Sequence, residues 1–438
     1  MQITIHRGIN QIGGCITEIS TDTSRIFMDM GTNLPGVGEK LSTDEEKGIV
    51  NNLLSQNKRD QEAIFFTHSH PDHTGMLAWV SEGMECFMSK GTKDILRIKT
   101  ELLIQKNELC KTETGITNEE EEKDLLMLQK LHTCHEWKRP EPRHKPQTIT
   151  VGDIKVTPYF VSHSTYDASM LLIEVSGKRI LHTGDFRGHG FLSKGLFPTL
   201  NHYIRQVDVL ITEGTMLSRN DVCETEQEIS RRMAEVMKKY KYIFVLASST
   251  DIERLTAVHL AAKKADKTLM CCSGMHSKAM DYFKKESGFR LCEFSYKFYS
   301  FYKPDNSVLE GMKDKGFTMV FGSSYGDKIK KLKEEFNPDQ TLLIYSTWEG
   351  YYTIPEQVEA NPEYKKIRDM FTNVVDIHTS GHADAGTITE VIKTVNPREA
   401  IIGIHKDKET SLTSLTLPEE LMGKIIPERM ELDYITVY

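Results

Sequence analysis

Short apolar runs separated by turns dominate the first part of the chain, and they predict strands. The opening stretch Met1–Arg7 has the pattern of a first strand. Ser24–Gly31 is an apolar run that ends on Asp29 and a glycine. Glu62–Thr67 has the pattern of a buried strand that delivers a histidine cluster at its carboxyl end. From Thr92 to about Lys138 the pattern becomes helical and highly charged, including Asn118–Asp124. A charge run of this kind predicts a solvated surface helix rather than a functional acidic tail. Strand signals resume at Ile154–Phe160, Met170–Val175, Arg179–His182 and Asp208–Glu213.

The rhythm changes between about Ser218 and Asp339. Amphipathic helices at Glu224–Lys239 and Asp251–Lys264 alternate with apolar strands at Tyr242–Ala247 and Thr268–Cys272. This βα alternation predicts a small domain with a parallel sheet. After Thr341–Ser346 come two strands that each end in histidine, Val374–His378 and Ala400–His405. No internal repeat or low-complexity linker separates these parts, so the second domain is expected as an insertion into the first.

Composition narrows the class. A chain of 438 residues exceeds what one hydrophobic core usually serves, and 39% hydrophobic with 27% charged residues is an ordinary globular balance. No apolar run is long enough to span a bilayer, and Met1–Arg7 lacks the basic-then-apolar order of an export signal. Eight irregularly spaced cysteines without such a signal favour reduced thiols and a cytoplasmic location. A net charge of −8 argues against a protein that coats nucleic acid. It leaves room for a nuclease, because bound metal ions supply positive charge where a phosphate is attacked.

The chemistry concentrates at His68-Ser69-His70-Pro71-Asp72-His73. A tight turn leaving a strand points alternate residues to one side, so His68 and His70 can share a metal while Asp72 and His73 serve another. A histidine-rich surface turn is the bland alternative, and it explains this spacing poorly. Two further candidates sit just past strands, His163 and Asp185. Each alone would more often be a satisfied polar residue, and their weight comes from the ordered set; a carboxylate is the natural bridge between two cations.

The order Asp29, His-x-His-x-Asp-His, His163, Asp185 resembles the metallo-β-lactamase-fold hydrolases. Downstream, Thr212-Glu213-Gly214-Thr215, His378-Thr379-Ser380-Gly381-His382 and Ile402-Gly403-Ile404-His405 resemble signatures of the β-CASP branch, which includes ribonuclease J and the cleavage factor of mRNA 3′-end processing. The resemblance implies an α/β fold: a metallo-β-lactamase αββα sandwich with an inserted β-CASP α/β domain. Residues 1–215 and 346–438 would form the sandwich and 216–345 the insertion. It implies two zinc ions, or manganese in their place, one on His68, His70 and His163, the other on Asp72, His73 and His405, with Asp185 bridging and Asp29 orienting ligands. The implied activity is hydrolysis of RNA phosphodiester bonds by a two-metal-activated hydroxide. Asp72 would orient the nucleophile, and His382, polarised by Glu213, would protonate the leaving oxygen. His378, Ser380 and Gly381 would hold a neighbouring phosphate. Single-stranded RNA is the implied partner; a membrane is not, and a homodimer stays open.

Two departures stand out. Ribonuclease J chains continue into a carboxyl-terminal domain, whereas this chain ends soon after His405, which leaves the family's dimerisation in question. Ile404-His405-Lys406-Asp407 also replaces the usual Val-His-Gly-Glu, so a different backbone is expected after the ligand.

DNA cleavage fits the same signatures, since reading a 2′-hydroxyl depends on contacts no motif encodes. A lactonase-like hydrolase of small molecules explains the metal residues but not the insertion. A decayed binding scaffold would have lost ligands, and none is missing. Other features are set aside. His132, Cys134 and His135, with Cys110 and His144, lack the spacing of a structural zinc site. Cys271-Cys272 reads as packing. The aromatic–lysine run Phe294–Lys303 could stack bases, but Phe294, Phe298, Phe301 and Tyr302 at helical spacing read as a core stripe. Lys328, Lys330, Lys331 and Lys333 read as an exposed helix face.

Overall fold

Parallel strands are buried on both faces, which is why the apolar runs of this chain are nearly continuous. A computed structural model describes the chain apart from residues 115–120, 141–145, 220–221, 273, 287–295, 302–304, 428–435 and 438, and apart from the side chains at 110, 112–114 and 436–437. The chain divides into two compact units. The first comprises Met1–Gly188, Leu192–Val222 and Gly381–Tyr438; the second comprises His189–Phe191 and Cys223–Ser380.

Two sheets form the first unit. A seven-stranded sheet runs in the order Thr436–Val437, Gln2–Arg7, Ile16–Ser20, Ser24–Met28, Gln61–Phe66, Glu85–Ser89, His135–Trp137. A six-stranded sheet runs Ala400–Ile404, Val209–Glu213, Lys178–His182, Ser169–Val175, Ile154–Phe160, Ile149–Val151. One core cluster joins residues of both sheets, including Ile3, Ile26, Phe65, Val156, Ile173 and Ile402. Alternate residues on the same strands face outward. Phe27, Ile64 and Phe66 pack with Val50, Leu54, Leu96 and Leu131 of the flanking helices. Leu181, Leu210 and Ile401 pack with Ile388, Val391 and Ile392 of the helix Ala385–Val395. The period-two alternation of each strand thus builds four layers, helix–sheet–sheet–helix, the sandwich expected from the sequence.

The second unit holds a six-stranded, all-parallel sheet in the order Lys297–Tyr299, Leu269–Cys272, Phe317–Phe321, Tyr242–Leu246, Thr341–Tyr345, Val374–Asp376. Its limits differ from the expected 216–345. Met216 to Val222 stay with the first unit, and the chain up to Ser380 stays with the second. Pairing explains the later end: Val374–Asp376 adds a parallel strand beside Thr341–Tyr345, with Leu343 opposite Val374.

The aromatic run is not the expected helical stripe. Residues Lys297–Tyr299 form a strand in which Phe298 is 48% exposed and Tyr299 is buried, a period of two rather than 3.6. Phe294, Tyr302, Lys303 and His144 lie outside the described residues, as does the Cys110 side chain. The lysine cluster lies on the helix Gly326–Lys333, which turns Ile329 and Leu332 inward. Among the described residues, no helix is long and apolar enough to cross a membrane.

Candidate metal centre

Parallel strands end together, so their carboxyl ends bring distant parts of the chain to one edge. In the first unit Gln61–Phe66 leads into His68 and His70, Ile154–Phe160 into His163, Lys178–His182 into Asp185, and Ala400–Ile404 into His405. Asp72 and His73 follow on the short helix Pro71–Thr74, whose missing proline N–H suits a helix start. That helix is pressed against Gly31: a Cβ there would lie 1.6 Å from the Asp72 carbonyl oxygen.

The donor atoms fall into two groups. His68, His70 and His163 form one; Asp72, His73, Asp185 and His405 form the other, and within each group the atoms lie within 4.8 Å of one another. In the first, His70 Nδ1 is 3.1 Å from both His68 Nε2 and His163 Nε2. Tetrahedral zinc with bonds of 2.0–2.1 Å separates its ligand atoms by about 3.3 Å, so this triangle is close to metal-sized. In the second, His405 Nε2 lies 2.9 Å from Asp72 Oδ2. Asp185 Oδ2 is 3.2 Å from His73 Nε2, 3.6 Å from His405 Nε2, 3.7 Å from His68 Nε2 and 3.8 Å from His163 Nε2. One carboxylate oxygen therefore faces both groups.

The remote nitrogens of His68, His73, His163 and His405 are held by protein, which fixes where their lone pairs point. His163 Nδ1–H donates to the Gly381 carbonyl at 2.7 Å. His73 Nδ1–H donates to Asp29 Oδ2 at 2.7 Å. The Thr67 hydroxyl donates to Asp29 and so accepts from His68 Nδ1 at 3.0 Å. The Thr215 hydroxyl donates to the His405 carbonyl and so accepts from His405 Nδ1 at 2.7 Å. Each arrangement leaves Nε2 aimed inward. Asp29, at φ 64° where the strand breaks off, also takes the Thr67 N–H at 2.8 Å.

The electrostatics suit a cation. Burial, reinforced by neighbouring imidazoles, holds His68 and His163 well below the usual histidine range, and burial brings His70 down to about 4. These three are neutral lone-pair donors at pH 7. Burial disfavours charge on Asp72 as well, yet His73 and His405 outweigh it and bring its carboxyl down to about 2. Asp185 is held well below the carboxylate range against its burial, by His405 and His73. His73 is the exception. Despite burial, Asp185 and Asp29 raise it well above its ordinary value, so an entering cation would displace its proton.

Two buried atoms test whether a metal fits here. His73 Nε2 and Asp185 Oδ2 have no hydrogen-bond partner, although they sit in the second donor group and face each other. Unpartnered buried polar atoms are rare because they forfeit their hydration, and a shared divalent ion would satisfy both. The donors present fit the group.

Glu213 and His382 complete this side. His382 Nδ1–H donates to Glu213 Oε2 at 2.9 Å, and Phe186 N–H holds Glu213 Oε1 at 2.8 Å. Burial lowers the His382 pKa, but the Glu213 charge and hydrogen bond outweigh it and raise it to about 9. Gly381 packs against Ser164 and gives its carbonyl to His163. His378 and Ser380 belong to the second unit. There Arg254 Nη1 donates to His378 Nδ1 at 3.1 Å, Arg254 Nη2 donates to the Thr379 carbonyl at 3.1 Å, and His189 Nε2–H donates to the Ser380 carbonyl at 2.7 Å. Arg254 is itself paired with buried Glu226. Thr67 and Thr215 adjoin recognisable motifs and were within reach of sequence reasoning. Arg254, Glu226 and Cys15 carried no such signal. Lys406, at the altered signature, is fully buried and donates to the Thr410 carbonyl at 2.7 Å.

The comparisons with known proteins agree with this geometry. The Beta-lactamase superfamily domain matches residues 49–259. An RNase J-like protein of Methanocaldococcus jannaschii is 21% identical over 430 residues, covering 94% of each chain. Transcription termination factor FttA of Pyrococcus abyssi is 21% identical over 469 residues, covering 95% of this chain and 68% of that protein. A solved structure, a protein of unknown function from Enterococcus faecalis V583, superposes with a TM-score of 0.70 at 20% identity, covering 100% of this chain and 99% of that one. Residues 49–259 are thus similar to the Beta-lactamase superfamily domain, and the four layers of the first unit agree with that match. The similarity to the RNase J-like protein and to FttA is consistent with the β-CASP resemblance of the signatures.

Proposed function

We propose that this protein is a metal-dependent ribonuclease that hydrolyses phosphodiester bonds. The observation that carries the hydrolase reading is the convergence of both donor groups on the unpartnered Asp185 Oδ2. The choice of RNA is supported by the RNase J-like relative, which matches along almost its whole length.

His68, His70 and His163 would hold one divalent ion and Asp72, His73 and His405 the other, with Asp185 shared; zinc suits these nitrogen and oxygen donors, and manganese is the alternative. When bound, such ions supply Lewis-acid activation of water and charge compensation at phosphate. The protein's own residues do the rest. Asp72, ionised, accepts a hydrogen bond from the attacking water and orients it. Glu213 keeps His382 charged through Nδ1, so that Nε2–H is available for the leaving oxygen. In the second unit, Arg254 donates into His378 Nδ1, which places the proton of neutral His378 on Nε2 as a donor for phosphate. Ser380 and Gly381 are assigned to the same task through hydroxyl and N–H.

The test is cleavage of labelled single-stranded RNA beside a matched DNA strand, with zinc or manganese, with and without chelator, and with Asp72→Ala as control. Chelator-sensitive cleavage of RNA is expected. Absence of such cleavage with either metal would overturn the reading, and preference for the DNA strand would reassign the substrate.

A further inference from the structure

One buried side chain beside the centre has no part in the set of donors assigned so far. Cys15 lies immediately before the strand Ile16–Ser20 and is 2% exposed. Its backbone is clamped to the loops that carry the donors: Cys15 N–H donates to the Asp72 carbonyl at 3.0 Å, and its own carbonyl accepts from Gly31 N–H at 3.1 Å. The sulfur occupies space that only glycine leaves open, since a Cβ on Gly8 would come within 2.9 Å of Sγ. Gly8 sits at φ +92°, a backbone region other residues seldom adopt, and its carbonyl accepts from His405 N–H at 2.6 Å.

The sulfur, one nitrogen of His73 and one of His405 lie within 4.8 Å of one another. A buried cysteine is usually a small hydrophobe among apolar neighbours. Here burial pushes the thiol well above its ordinary range, and the charged groups acting on it are those of the centre, His73, Asp185, Asp72 and Asp29. His73 Nε2, and Asp185 Oδ2 in the adjoining group of Asp72, His73, Asp185 and His405, are buried and without hydrogen-bond partners. We propose that Cys15 is a further donor to the metal held by Asp72, His73 and His405, and that it biases this position toward thiophilic divalent ions over manganese or magnesium. The inference rests on the reading of the cluster as a metal centre. On binding, the thiol proton passes to solvent as the sulfur–metal bond forms, and the soft thiolate selects zinc, cadmium or cobalt over harder ions.

The test titrates metal-free full-length protein with Co2+ and follows its absorption. Wild type should give the visible d–d bands of bound cobalt and a near-ultraviolet sulfur-to-cobalt charge-transfer band. Cys15→Ser should keep the d–d bands and lose the charge-transfer band. Its Cd2+ affinity should fall roughly tenfold or more, with Mn2+ affinity changed far less. Visible bands without charge transfer in wild type, or a charge-transfer band that survives in Cys15→Ser, would overturn the role of Cys15 while leaving the metal centre intact. No visible bands in wild type would remove the metal centre and this inference with it. If Cys15→Ser does not fold, X-ray absorption of the zinc-loaded wild type decides: a sulfur shell near about 2.3 Å supports the proposal, and nitrogen and oxygen neighbours alone overturn it.

Discussion

A buried carboxylate beside a histidine sets the charge of that histidine, and Glu213 does so for His382. The folded His382 holds its proton up to a pKa of about 9, against an ordinary value of 6.5. A raised histidine pKa stabilises the fold fully below about pH 6.5, and that contribution is lost as the pH rises through about 9. The stability gap between wild type and Glu213→Gln should therefore be widest in acid and close in alkali, as urea unfolding across pH would record. The alkaline limb of RNA cleavage should move to lower pH in the same variant; an unchanged limb would mean that His382 is not the proton donor. Arg254 gives a second prediction. Its pairing with Glu226 is fully buried, so Arg254→Met strands a carboxylate and should cost about 3–5 kcal/mol, with part recovered in Arg254→Met/Glu226→Met. Equal stability of the single and double variants would contradict this.

Each donor is placed by the end of an element, and this is why so much of the centre was legible. Apolar runs such as Glu62–Thr67 and Ala400–His405 announce strands, and a histidine or aspartate just past a strand stands out against that background. Whatever depends on contacts between distant segments left no such trace. The Arg254–Glu226 pair joins two helices and Cys15 meets His73 across one sheet, so both arise only when distant segments pack, and the end of the second unit is set by a three-residue strand too short to signal its partner. The aromatic run misled because a four-residue spacing suits a helix and, equally, the even positions of a strand. Gly31 makes the same point in reverse. A methyl there collides with the Asp72 carbonyl, so Gly31→Ala should shift the helix Pro71–Thr74 and weaken zinc binding, roughly tenfold or more by calorimetric titration, with little change in helix content.

Taken whole, the protein is two units with separate cores, and the proposed metals belong to the first. Ions that bind only the folded state stabilise it by mass action, about 4 kcal/mol at a thousandfold excess over the dissociation constant. Chelation should therefore lower the melting temperature seen by calorimetry, and zinc should restore it. An unchanged melting temperature would argue that the donors are satisfied without metal.

The donors are also far apart in time. His68 to Asp185 leave the ribosome early, but His382 and His405 follow only after the entire second unit, and His405 takes its place once Ala400–Ile404 pairs beside Val209–Glu213. A growing chain thus carries an incomplete centre until the second unit has been made. On the proposed function, the protein would stay harmless to the message from which it is being read until Ala400–Ile404 has folded into place.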